Sequence, residues 1–85
     1  MVEVLVDTFR SIVVEGKSGE PLRINEGDSI KFSTEQGELV AGVVTKLSGK
    51  GEKVKIQIIP VGAEREEIWN ICTIAEGSLE VTEQA

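Results

Sequence analysis

With 85 residues and a formal net charge of −6, the chain has room for one small core and no second domain, and its acidity repels phosphate at long range. It contains no histidine, no tyrosine and one cysteine, Cys72. This excludes histidine-based acid–base catalysis, most zinc sites and any internal disulfide.

Residues 1–14 are the most ambiguous stretch. Val2, Leu5, Val6, Phe9, Ile12 and Val13 fall at helical spacing, yet the segment is rich in β-branched residues that pack well on a pleated surface. The reading is a loose start followed by a strand over about 9–15, with a short helix over 2–8 as the alternative. Nothing in this stretch resembles a secretion signal, and no run of about 20 apolar residues exists to span a bilayer, so the expected location is cytoplasmic.

Gly16 to Gly19 supply a hairpin turn and residues 22–24 the return strand. Asn25, Glu26, Gly27 and Asp28 form the next turn. A strand over 29–34 follows, in which Ile30, Phe32 and Thr34 alternate with Ser29, Lys31 and Ser33. That period of two marks a half-buried strand. Glu35, Gln36 and Gly37 reverse the chain into a longer strand over 38–47. Gly42 interrupts that strand, and the reading places a bend or bulge there to close a barrel. Residues 48–52 read as a flexible hairpin tip, and 53–59 as a strand with Val54, Ile56 and Ile58 inward, ended by Pro60. A polar loop over 61–66 leads to a short strand or a strand with a tight turn over 67–74. A last brief strand spans 79–81.

The expected fold is therefore mainly β: a single small antiparallel barrel of five to seven short strands. Residues 1–26 form an N-terminal extension and hairpin, residues 27–81 the barrel, and residues 82–85 a frayed tail.

Gly37, Val40, Gly42 and Val44 make a G-x-x-φ-x-G-x-φ pattern, and Gly42, Val44 and Leu47 a G-x-V-x-x-φ pattern. In these the chain resembles the SH3-like small β-barrels: the first pattern is similar to the opening half of the Sm-like signature, the second to the end of a KOW element. The resemblance implies a fold and, by the Sm-like route, a homo-oligomeric assembly. It does not carry an Sm-type RNA pocket. Ser48 stands at the position of that family's acidic residue, and Ile74, Ala75, Glu76 and Gly77 stand where its Arg-Gly element is sought. The KOW likeness also lacks basic residues over 34–41, which hold Glu35 and Glu38 instead.

Charge is unevenly placed. Residues 1–45 carry four basic and eight acidic side chains (−4), residues 46–58 four and one (+3), and residues 59–85 one and six (−5). Lys46, Lys50, Lys53 and Lys55 on one hairpin read either as a patch for nucleic acid or an acidic surface, or as solubilising charges that discourage edge pairing. Trp69, flanked by Glu66 and Glu67, reads either as a partner-docking anchor or as a plug for one end of the barrel. The acidic loop residues Glu64, Glu66 and Glu67 have no metal-site spacing, and Cys72 reads as a small buried hydrophobe.

No catalytic residue, metal or cofactor is expected. The preferred function is a non-enzymatic accessory module, of the kind found in bacterial or phage systems, that binds another protein through an open strand edge or the Trp69 end. Two alternatives stand beside it: a nucleic-acid-associated protein using the lysine hairpin, and an Sm-like homo-oligomer.

Overall fold

Short alternating strands joined by glycine turns cannot bury much surface one hairpin at a time, so they collect into sheets that share a core. The structure, a computed structural model, describes residues 4–8, 11–16 and 18–85. Among the described residues there are two antiparallel sheets and no α-helix. A three-stranded sheet runs in the order β1 (Val4–Thr8), β2 (Ser11–Glu15), β3 (Pro21–Asn25). The second sheet is built from β4 (Ser29–Ser33), β5 (Leu39–Ser48), β6 (Lys55–Pro60), β7 (Glu67–Asn70) and β8 (Glu80–Glu83), in the order β7-β6-β5-β4-β8. Gly51–Lys53 and Ile71–Thr73 form single turns of 3-10 helix.

Neither sheet closes on itself. The segment after β7 nonetheless folds back on the end of β4 through a Thr34–Ile74 bridge and a 2.7 Å hydrogen bond from the Ala75 amide to the Ser33 carbonyl. Ile12, Val14 and Ile24 of the smaller sheet join Ile30, Phe32, Val44, Ile56 and Ile58 of the larger one in a single buried cluster. The period-two expectation holds where it was clearest: Ile30, Phe32, Thr34, Val54, Ile56 and Ile58 are all buried.

The helix considered for residues 2–8 does not form, since Val4–Thr8 is a strand paired with β2. Its β-branched content outweighs the helical spacing once a partner strand is available. Residues 9 and 10 of the strand expected over 9–15 lie outside the described residues, and β2 begins at Ser11.

Gly42 is not a bulge. It pairs in register with Ile30 on one side and Pro60 on the other. A Cβ at this position would lie 2.9 Å from both the Ile59 carbonyl carbon and Pro60 Cα, so glycine is required because the β6 backbone passes too close for a side chain. The irregularity sits between Val44 and Lys46, where Thr45 is the extra residue. It reverses the parity of β5: Val44 faces the core opposite Ile58, and beyond the bulge Leu47 faces inward opposite Ile56 while Lys46 turns outward beside Gln57. Without the bulge, Lys46 would share the inward face of Val44.

The hairpin tip over 48–52 is tighter than expected. Gly49 (φ +81°) passes so close to Lys53 that a Cβ would fall 2.8 Å from its carbonyl carbon, and the Lys53 amide donates to the Lys50 carbonyl. The tail is also tied down. β8 continues to Glu83, two residues beyond the expected end, and the Ala85 amide donates to Asp28 Oδ1 at 2.9 Å. Buried Asp28 also accepts the Asn25 amide through Oδ2, so one carboxylate closes the turn over 25–28 and holds Ala85 beside it.

Candidate functional site

Lys46, Lys50, Lys53 and Lys55 are all exposed. The bulge at Thr45 and the alternation of β6 put Lys46 and Lys55 on the outer face of the larger sheet, and the 3-10 turn carries Lys50 and Lys53 at the tip. They are solvated charges at one end of one hairpin, with no aromatic side chain among the cross-strand partners of Lys46 and Lys55, which are Gln57, Ser48 and Asn70.

Trp69 pairs with Ile56, one position from the Lys55–Asn70 pair, but belongs to the inward face of the sheet. It is partly buried against the core, and its ring meets Phe32 edge to face, with centroids 5.8 Å apart and planes at 77°. That geometry suits the ring quadrupoles. The indole forms a wall between two clefts. One, about 160 Å³, is bounded by Thr34, Glu35, Gln36, Cys72 and Thr73. The other, about 310 Å³, lies between the starts of β5 and β7 and is lined by Glu38, Leu39, Val40, Ala41, Pro60, Val61 and Glu67. The Trp69 Nε1 proton is buried and finds no hydrogen-bond partner among the described residues.

Hydrogen-bond parity explains why the larger cleft exists. The Thr34 amide donates to Glu38 and the Val44 amide to Asp28, so even-numbered residues of β5 bond to β4 and odd-numbered ones face β6. Val43 pairs with Ile59, and the Val61 amide donates to the Ala41 carbonyl at 2.9 Å. The Ala63 amide then turns back to the Pro60 carbonyl, so the chain leaves the ladder. Leu39 is next in line, and its backbone has no partner among the described residues. Leu39 and Val61 are 64% and 82% exposed.

Apolar exposure continues along the outer face of the sheet, where Val43 stands opposite Ile59 and Ile68 lies diagonally beyond. Glu38 and Glu67 supply two carboxylates to the cleft, while Glu66 accepts a hydrogen bond from Gln57 Nε2. Cys72 is exposed, contrary to the sequence expectation, because the 3-10 turn directs Ile71 and Ile74 into the core and leaves the residue after Ile71 outside.

Of the five residues singled out in the sequence, the four lysines share one hairpin, and Trp69, one residue from the Asn70 partner of Lys55, faces the opposite side of the sheet. Leu39 and Val61 escaped sequence reasoning, and Glu38 and Glu67 read there only as acidic neighbours, not as the lining of a cleft. A signal was present: residues 39–44 and 58–61 are apolar at nearly every position, whereas a strand with one wet face alternates. Among the described residues no helix is long and apolar enough to cross a membrane. No protein-family model matches the chain, no curated protein matches it, and no solved structure matches its fold.

Proposed function

We propose that the protein is a non-enzymatic binding module of the SH3-like small-barrel type, acting through contact with another protein at its Trp69 end. The antiparallel run β4-β5-β6-β7, the return of β8 to the side of β4, and the Thr34–Ile74 bridge support the barrel assignment. The observation that carries the function is the cleft beside Leu39. An extended backbone loses its partner there, next to an aromatic wall and two exposed apolar side chains, which is the arrangement that strand addition uses. The unpaired, exposed thiol of Cys72 agrees with a reducing cytoplasm.

The test is affinity capture with the wild type and with a Leu39→Ser, Val61→Ser variant whose circular dichroism and melting are unchanged. A protein retained by the wild type and lost by the variant supports the reading. Retention by both, or loss only when Lys50, Lys53 and Lys55 are replaced by Gln, transfers the function to the lysine hairpin. Sedimentation of the purified chain separates binding of a partner from assembly of like chains.

A further inference from the structure

We infer that the Trp69 cleft accepts a cationic side chain, arginine or lysine, carried on an extended segment of the partner protein; this rests on the binding reading above. The backbone of Leu39 offers one N–H and one C=O toward the cleft with no partner among the described residues. A segment adding there would place one residue opposite Leu39, with its side chain on the outer face beside Leu39 and Val61. The residues on either side of it would point inward.

Inward, the alternation of β5 puts Glu38 on the same face as buried Val40, and that of β7 puts Glu67 on the same face as Trp69. All four line the cleft. An inward side chain therefore meets an indole and two carboxylates, a setting that favours a cation through ion pairing and the ring quadrupole and disfavours an acid. The surrounding field has the same sense, since residues 59–85 carry one basic and six acidic side chains. At about 310 Å³ the cleft stands at the small end of ligand pockets, which suits one long side chain. The recognised pattern is a cationic residue directly beside an apolar one.

A fully randomised hexapeptide library selected on the full-length protein tests this. The expected result is at least about fivefold enrichment of arginine or lysine adjacent to an apolar residue. A synthetic peptide from that pool should shift the emission of Trp69, the chain's single tryptophan. Its Kd should rise at least about tenfold in the Glu38→Gln, Glu67→Gln variant and stay within about twofold when Lys50, Lys53 and Lys55 are replaced by Gln. Selected peptides without that cationic enrichment would overturn the inference while leaving the binding reading in place. Failure to select any peptide that competes at Trp69 would overturn both.

Discussion

Replacing Gly42 with alanine tests the packing of the larger sheet through the sign of its effect. At an ordinary strand glycine with a permitted backbone angle, Gly→Ala stabilises by about 0.4–1 kcal/mol, because it restricts the unfolded chain. Gly42 has no positive φ to strain an alanine. Its constraint is space: the new methyl would meet the Ile59 carbonyl carbon and Pro60 Cα at 2.9 Å, where ordinary contact begins at 3.4 Å. Strand β6 must then retreat by roughly half an ångström or more, stretching the ladder at Val43–Ile59 and the bond from the Val61 amide to Ala41. Overpacking of this kind costs about 1–3 kcal/mol. After the unfolded-state gain is subtracted, the net loss is about 1–2 kcal/mol. For a domain this size that lowers Tm by roughly 5–15 °C. Urea unfolding followed by Trp69 fluorescence should show a lower midpoint with an unchanged slope, and Gly42→Val should lose more. A Gly42→Ala protein as stable as the wild type, or more stable, would refute the close approach.

Asp28→Ala should cost about 2–3 kcal/mol, because it leaves the amides of Asn25 and Ala85 without their charged acceptor; thermal melts check this, and a loss below about 0.5 kcal/mol would count against the anchor. Trp69→Phe should stay within about 1 kcal/mol of the wild type, since the lost ring volume is offset by removal of an unpartnered buried donor. Trp69→Ala should lose about 2–4 kcal/mol with the Phe32 contact. Melting by circular dichroism decides both, and a Phe variant as damaged as the Ala variant would mean the N–H is bonded. Cys72 should react stoichiometrically with a thiol reagent in the native protein at the rate of a small free thiol; protection that ends only on unfolding would contradict its exposure. An anisotropy titration near physiological salt should show no DNA or RNA binding, because lysines without stacking aromatics give charge but little specificity. Micromolar binding lost on replacing Lys50, Lys53 and Lys55 with Gln would install the nucleic-acid reading.

Strand content and most strand positions were legible from local chemistry. Period-two burial at Ile30, Phe32, Val54, Ile56 and Ile58 needs only a core on one side, whichever strands supply it. The turns at 25–28 and 34–37 follow from glycines, Gly27 and Gly37, that the structure holds at positive φ. Two features depended on long-range partners. Gly42 announced itself as special, but whether it marks a bulge or a close approach is decided by the path of β6, so the bulge fell instead at Thr45, where it keeps Lys46 out of the core. The C-terminal residues look like a polar tail until Asp28, 57 positions earlier in the chain, holds the Ala85 amide.

The candidate site divides in the same way. The sequence by itself singled out Trp69, as a docking anchor or as a plug for one end of the domain, because a large amphipathic ring in a small aliphatic domain has few places to go. Only the tertiary structure decided that the chain leaves the ladder after Val61, that Leu39 is thereby left without a backbone partner among the described residues, and that Glu38 and Glu67 face one cleft. Hydrogen-bond parity and strand length set those facts, and both belong to the pairing of strands rather than to any one of them.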